Sequence, residues 1–587
     1  MTVREKKSLL RWALKIPFFL SLWTVFAVIY DLGFQQATHY EMYLEWLYAL
    51  TLSGAIVVTV YRYVFHQVPD RRSIRLFDGT SIFFFLIIIT HRLDVGHLIG
   101  FLSFLEPIEW TYTAVFLAFI REYSALNIDF KRAVLNPAQL FILSFLAIII
   151  LGALLLLLPN ATYSGISVVN ALFTSTSAVC VTGLIVVDTG SYYTFFGQSV
   201  IVLLIQLGGL GIMTFASYFS FFFRGGTSYE NQLMLRDMTN SEKLGEVFDT
   251  LKKIILITFS IELVGGMFIF YSLDEAMFSS LFDRIYFSLF HSVSAFCNAG
   301  FSTLPNGLYE MGFRFNYPLH LAISGLFILG GLGFPIAFNV AKYVKYQIRK
   351  LLTWNGSKQQ YQPWILNLSS RIVLITSSIL IVVGTLLFFS FEYNNTLAEH
   401  GLFGKMVTAF FGATTPRTAG FNTVDMSALH FHTIMIIFLL MWIGASPAST
   451  GGGIKTSTFA IATLNFLSLA RGKTRIEIFR REIADISVRR AFALISLSLV
   501  VIGGAVFGLS ITDSEKDLIH IAFECFSAYS TVGLSLGITG SLSEWGKLII
   551  VAVMFIGRVS MLSILIAIMK NVKFKNYKYP TEEILLN

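Results

Sequence analysis

The sequence predicts an all-α polytopic membrane protein: four helix–loop–helix repeats around one pseudo-fourfold axis, preceded by an extra N-terminal transmembrane module. Three observations predict it. First, 55% of the 587 residues are hydrophobic and 13% are charged, about half the charged share of soluble domains, with a mean hydropathy of +0.70. Second, an uncharged stretch ending on a glycine, 173–183, returns three times in altered form at nearly even spacing. Third, basic residues gather in short clusters between apolar runs, the pattern that fixes membrane orientation.

The recurring stretch runs from Phe173 to Gly183, Phe290 to Gly300, Phe410 to Gly420 and Phe523 to Gly533. Each has a Phe ten residues before the glycine and a hydroxyl six before it: Ser177, Ser294, Thr414 and Ser527. The glycines are 117, 120 and 113 residues apart. A long fixed period means one structural unit built several times. The predicted divisions are an N-terminal module at 1–135 and repeats at 136–245, 246–365, 366–485 and 486–587.

In the N-terminal module, apolar runs at 12–33, 43–65, 76–91 and 97–120 read as four spans. Arg4, Lys6, Lys7 and Arg11 precede the first; Arg62, Arg71, Arg72 and Arg75 follow the second; Arg121, Lys131 and Arg132 follow the fourth. Four crossings put all three clusters in the cytoplasm. His91, Arg92, Asp94 and His97 then fall in a short outer turn. Glu106 and Glu109 either line a polar site or sit at the interface beside Trp110.

Between Arg132 and Arg224 the only charged residue is Asp188. Residues 139–158 make one crossing and 195–223 the return. The stretch 164–187 between them is too apolar for a solvated loop and too short to cross twice. It reads as a segment that dips in and returns, allowed only if buried in protein or lining a wet cavity. Runs at 254–272 and 318–341, 372–391 and 431–468, and 491–511 and 546–569 flank the other three glycines in the same way. The loops between repeats are basic, so every glycine segment enters from the outer side.

Other readings fall away. The net charge of +8 is a topology signal, so no nucleic-acid partner is expected. Cys180, Cys297 and Cys525 form neither a disulfide framework nor a CxxC metal motif; they read as small buried residues. Identical LGGLG strings at 207–211 and 329–333, with Gly444 and Gly557 in matching places, read as close-packing glycines. They follow no strand, so they are not dinucleotide loops. Gly-Gly-Gly-Ile-Lys-Thr at 451–456 lacks phosphate-loop spacing. With no HExxH and no nucleophile triad, no enzyme is expected.

Each dipping segment can hold a short helix whose C-terminus points inward, carrying roughly half a negative charge. Four such ends around one axis favour a cation. Beyond each helix the backbone would run with carbonyls facing the axis, replacing the ion's water shell. Glycine tolerates the unusual dihedrals this needs. The candidate ion-binding residues are Val181, Thr182 and Gly183; Asn298, Ala299 and Gly300; Thr418, Ala419 and Gly420; Thr531, Val532 and Gly533. The competing reading is four glycines that merely cap buried helices.

The string AVCVTGLIVVDTG at 178–190 resembles the first filter of the KtrB-type potassium transporters of the Trk/Ktr/HKT superfamily. TPRTAGF at 415–421 resembles its third filter, and 444–458 resembles its third-unit loop. The likeness covers about residues 136–587. It implies one pore per chain from four helix–pore loop–helix units, with potassium as substrate and as the metal at the filter only. It also implies a membrane homodimer with a cytosolic ring of RCK-domain subunits. The chain itself would bind no cofactor; a nucleotide would act only through that partner. The expected location is the inner membrane of a bacterium. Glycine at all four filter positions favours potassium within this superfamily, with a sodium or mixed-cation pore as the alternative. The four-span N-terminal module departs from the family plan.

The run 431–468 is too long for one crossing, and Pro447 with three glycines will not sustain a helix. It should break into two helices around a loop at membrane depth. That loop resembles the family's intramembrane gate: Ser449, Thr450, Gly451, Gly452, Gly453 and Lys455. A rigid kink is the alternative. Arg558 lies inside an apolar run, where a charge is costly. It matches the family's arginine below the filter and is assigned to the gate, against a plain packing donor. Asp188 and Asp425 each lie five residues past a filter glycine. They either draw cations to the outer mouth or are ordinary loop carboxylates. Glu524 reads as a hydrogen-bonded structural carboxylate, and Arg417 as a brace for the third short helix.

Overall fold

The computed structural model describes residues 16–34, 38–65, 72–92, 108–125, 137–224, 247–352, 365–561 and 564–565. The first basic cluster, Arg71, Asp94, His97, Glu106, Lys131 and Arg132 lie outside the described residues.

Among the described residues the fold is mostly helical. The N-terminal stretch forms α1 (Ile16–Gly33), α2 (Thr38–Phe65), α3 (Arg72–Arg92) and α4 (Glu109–Ala125). Residues 97–107 of the fourth apolar run lie outside the described residues. Glu109 is exposed in the first turn of α4, next to exposed Trp110. Among the described residues, α1 and α2 of these four are long and apolar enough to cross a membrane. Asp78 on α3 and Arg121 and Glu122 on α4 are matched inside the bundle. Asp78 pairs with Arg121, and Glu122 takes two bonds from Arg62 at 3.0 and 2.5 Å. Asp31 accepts from the hydroxyls of Tyr48 and Tyr112, both at 2.8 Å. Buried charge is tolerated where it is paired in this way.

The chain continues as α5 (Pro137–Leu156), α6 (Val168–Val179), α7 (Phe195–Arg224), α8 (Val247–Ser272) and α9 (Leu281–Phe296). Next come α10 (Tyr317–Gly331), α11 (Phe334–Leu352), α12 (Leu368–Glu392), α13 (Leu402–Thr414), α14 (Phe431–Trp442) and α15 (Thr456–Ala470). A two-residue-per-strand hairpin, Glu477–Ile478 with Arg481–Glu482, precedes α16 (Asp485–Thr512), α17 (Leu518–Ser530) and α18 (Glu544–Val559). The N-terminal bundle touches this part where Asn160 donates to Leu32 O at 3.1 Å.

Among the described residues α8, α12 and α16 join α1 and α2 as helices that meet the length and hydropathy of a span. The run 318–341, read as one helix, is broken: α10 and α11 meet at 105°. Gly333, at φ +78°, makes the corner, where any Cβ would overlap Pro447 O.

Three clusters of buried apolar residues bridge different short helices. Phe173, Val179, Cys525 and Ile550 join α6 to α17 and α18. Phe296, Phe327, Phe411 and Phe421 join α9 to α13. Ile437, Phe523 and Val532 join α14 to α17.

Candidate functional site

The four short helices α6, α9, α13 and α17 start at extended caps, among them Ser167 and Ser280, whose hydroxyls accept from Asn170 N at 3.3 Å and Asp283 N at 3.1 Å. Past each C-terminus the chain reverses through a left-handed residue that is not glycine: Val181 (φ 57°), Asn298 (60°), Thr418 (77°) and Thr531 (51°). The glycines two residues on are also left-handed, at 89°, 71°, 79° and 91°. Left-handed β-branched residues are strained and occur where the surroundings hold them. Here the reversal lets Thr182 N, Ala299 N and Val532 N bond back to Ser177 O (2.8 Å), Ser294 O (2.7 Å) and Ser527 O (2.9 Å). That closes the helix ends in the manner of a Schellman motif.

The structure brings the four glycines together. A Cβ on Gly183 would overlap Ala299 O; on Gly300 it would lie 2.9 Å from Ala419 O; on Gly420 it would overlap Val532 O; and on Gly533 it would overlap Thr182 O. Each glycine faces the carbonyl of the next segment, and the fourth returns to the first. The contacts therefore close into a ring, with the first segment opposite the third and the second opposite the fourth.

Hydroxyls brace this ring, in three segments from the position six before the glycine and in the third from one residue later. Ser177 Oγ and Ser527 Oγ accept from Gly183 N and Gly533 N, each at 3.1 Å, and Ser294 Oγ donates to Phe301 O at 2.7 Å. Thr414 does not take this role; it donates to Phe410 O in its own helix at 2.7 Å. Thr415 takes it instead, donating to Phe421 O at 2.6 Å. Phe411 is likewise fully buried, whereas Phe410, ten residues before Gly420, is only half-buried. The third turn is one residue tighter, because Thr415 O accepts from both Ala419 N (2.9 Å) and Gly420 N (3.3 Å).

The packing role of the later glycines has a geometric basis. A Cβ on Gly208, Gly330 or Gly557 would overlap Val179 O, Phe296 O or Tyr529 O, each four residues before a ring glycine. Gly444 instead lies against Gly452 O, within its own loop.

That loop, 443–455, joins α14 to α15 directly against the ring segments. A Cβ on Gly451 or Gly452 would overlap Thr418 Oγ1 or Thr531 Oγ1. A Cβ on Gly453 would lie 3.2 Å from Ser530 Cβ. Thr450 Oγ1 donates to Asn298 Oδ1 at 2.9 Å, and Gly452 N donates to Thr531 Oγ1 at 3.0 Å. Ser449 Oγ donates to Ser446 O at 2.7 Å, and Lys455 Nζ to Gly451 O at 2.5 Å. Arg558, 4% exposed, donates to Thr450 O and, at 2.6 Å, to Gly208 O. So the side chains of Asn298, Thr418 and Thr531 receive the loop, a role that reading only their carbonyls missed. The available signal was that three of the four residues two before a glycine are polar.

On the other side of the ring lies a cavity of about 500 Å³, lined by all four glycines and by Ser302, Asn422, Asp425 and Ser535 among others. Asp425 is brought to it, with Oδ1 accepting from Ser427 N (2.9 Å) and Oγ (2.6 Å). Asp188 is not among its lining residues. It caps the turn Thr189–Tyr192 by accepting from Ser191 N at 2.7 Å, because an aspartate satisfies exposed N–H groups there. Glu524 is fully buried, and its Oε1 accepts from Ser535 and, at 2.9 Å, from Thr539. Arg417 donates to Ser377 Oγ at 3.2 Å. All three cysteines are buried and free. Sequence reasoning passed over two buried groups. Glu262 accepts from Gln206 Nε2 at 3.1 Å, and His291 contacts Ser302 Oγ at 2.9 Å. A lone carboxylate and a lone imidazole inside apolar runs were the signals. Among the described residues no group of three His, Cys, Asp or Glu could hold a metal ion.

A family model described as TrkH, cation transport protein, matches residues 114–578. The chain is 37% identical over 452 residues to the Ktr system potassium uptake protein B of Bacillus subtilis (strain 168), covering 76% of this chain and 96% of that protein. It is 34% identical over 468 residues to the potassium/sodium uptake protein NtpJ of Enterococcus hirae, covering 78% and 98%. Among solved structures it resembles the potassium transporter TrkH from Vibrio parahaemolyticus, with a TM-score of 0.59 at 16% identity, covering 90% of this chain and 97% of that one.

Proposed function

The chain belongs to the TrkH cation transport protein family, and on that premise we propose that it is the ion-conducting subunit of a potassium uptake system. It is a transporter of the KtrB/TrkH type and not an enzyme, a multi-pass protein of the cell membrane. The path runs through the glycine ring. The ligands are the carbonyls of Val181, Thr182, Asn298, Ala299, Thr418, Ala419, Thr531 and Val532, with Gly183, Gly300, Gly420 and Gly533. The observation that carries this reading is the cyclic contact of each glycine with the next segment's carbonyl. Such a ring replaces a cation's water with fixed oxygens, and the four helix C-termini add negative potential.

The domain division follows the same logic: one N-terminal module at 1–135 and four repeats at 136–245, 246–365, 366–485 and 486–587. The loop at Ser449–Gly453, with Lys455 and Arg558, gates the path. Supporting this, its glycines lie against Thr418 and Thr531, and Arg558 bonds to Thr450 O. Asp425 attracts cations at the outer mouth. Asp188 adds only a more distant charge.

The chain works as a homodimer with a cytosolic RCK-domain subunit, through which a nucleotide acts; the relative's description as part of a Ktr system fits a multi-component assembly. A second reading, a sodium or mixed-cation pore, is favoured by the relative described as a potassium/sodium uptake protein. The test is growth rescue of a potassium-uptake-deficient bacterium at low potassium, repeated with sodium varied. Rescue that follows potassium alone is expected. No rescue at any potassium level, with the protein in the membrane, would reject the reading; rescue that tracks sodium would favour the second.

A further inference from the structure

Four residues, each two past a ring glycine, line the outer cavity: Ile185, Ser302, Asn422 and Ser535. The ring order sets the two serines opposite one another, on the second and fourth segments. They share one hydrogen-bond pattern. Leu304 N donates to Ser302 Oγ at 3.1 Å, and Gly537 N donates to Ser535 Oγ at 2.9 Å. Each hydroxyl also meets a fully buried side chain nine residues before its glycine, His291 Nε2 or Glu524 Oε1.

The direction of these bonds follows from what the partners can do. His291 Nδ1 lies 2.9 Å from Phe287 O. A carbonyl only accepts, so Nδ1 carries the proton. The ring is buried against Phe287 and Phe290 with no charged partner among the described residues, so it is neutral and Nε2 is an acceptor. Ser302 must therefore donate to it. On the other side, Glu524 Oε1 receives both Ser535 and Thr539, while Oε2 has no partner among the described residues. An ionised Glu524 carboxylate can only accept, so Ser535 donates to Oε1. Thr539 Oγ1 lies 2.9 Å from both Glu524 Oε1 and Ser535 Oγ, and the carboxyl oxygen is the stronger acceptor.

Each serine thus turns its one proton inward and takes one backbone N–H. A lone pair is left over, on a side chain that lines the cavity. Asn422 is otherwise engaged: its Nδ2 donates to Asn306 O at 3.1 Å and its Oδ1 lies against Gly307. We propose that Ser302 and Ser535 form an outer binding site for a monovalent alkali cation, with His291 and Glu524 as positioning residues that keep the serine protons away from it. The site takes the ion as it sheds its first waters, before the carbonyl ring. This rests on the transport reading above.

The test uses the full chain in two ways. Thallium, a scatterer of potassium's size and charge, is soaked into wild-type crystals. Anomalous density between Ser302 and Ser535, in addition to density at the glycine ring, is expected. Density at the ring alone overturns the outer site and leaves the transport reading standing; density at neither overturns both. In liposomes, Ser302→Ala with Ser535→Ala removes both hydroxyl ligands and should raise KM for external potassium about tenfold, and by more than it lowers Vmax. A wild-type KM in that double variant overturns the site.

Discussion

The guanidinium of Arg558 donates to the backbone carbonyl of Thr450, so α18 holds the glycine-rich loop that joins α14 and α15. Its second bond, to Gly208 O, ties that loop to the first half of the chain as well. Arg558→Ala removes both the tether and a buried charge, and under the proposed gating it raises potassium flux in liposomes by about threefold or more. Arg558→Lys keeps the charge but loses the planar fork that donates to the two carbonyls from separate nitrogens. Flux near wild type in the lysine variant assigns the effect to charge; flux like that of alanine assigns it to the tether. Wild-type kinetics in both remove Arg558 from the mechanism.

Deleting residues 448–453 clears the segment that lies against Asn298, Thr418 and Thr531. Potassium flux should rise. Unchanged flux through purified protein in liposomes would show that the loop does not obstruct the path.

The ring predicts a contrast between two glycines with similar dihedrals. Gly420 (φ +79°) has Val532 O where a Cβ would go, whereas Gly472 (φ +68°) has nothing within 4 Å. Alanine at either position costs about 1–2 kcal/mol of backbone strain. Only Gly420→Ala should also cut potassium uptake, by about tenfold or more. Equal uptake by the two variants, at matched membrane levels, would count against the ring as the ion path.

Thr415→Val leaves Phe421 O without its donor, at a cost of about 1–3 kcal/mol for a buried group. Thr414→Val loses only a bond to its own helix. The apparent Tm of Thr415→Val in detergent should fall well below that of Thr414→Val. The reverse order would restore the register expected from sequence spacing.

Asp513, just past α16, carries an acid-sensitive contact. Burial alone would raise its pKa. Ser543 N (2.6 Å), Thr512 Oγ1 (2.7 Å) and Ser543 Oγ (2.8 Å) donate to it and hold it below the ordinary value of 3.8. A lowered folded-state pKa means the contribution is full above pH 3.8 and lost as pH falls through the folded value. Asp513→Asn should lower Tm at neutral pH, and the gap from wild type should close in acid below pH 3.8. A gap that persists there would show that packing, not the charge, is at work.

The sequence alone determined the material of the structure. Low charge and long apolar runs settled a helical membrane protein, because burying hydrophobic surface in lipid leaves the backbone few options. Four glycine-ended segments, a broken span at Pro447 and an arginine in an apolar run were all legible from residue type and spacing. What only the tertiary structure decided was who meets whom. The cyclic order of the glycines, the choice of Thr415 over Thr414, the bond from Arg558 to Thr450 and the placing of Asp425 but not Asp188 at the cavity depend on backbone positions set by distant segments. Periodicity reports which face of an element is buried, but a hydrogen bond needs its partner within about 3 Å at a fixed angle. Spacing along the chain cannot supply that, which is why one residue less in the third turn moved both a hydroxyl and an aromatic ring by one place.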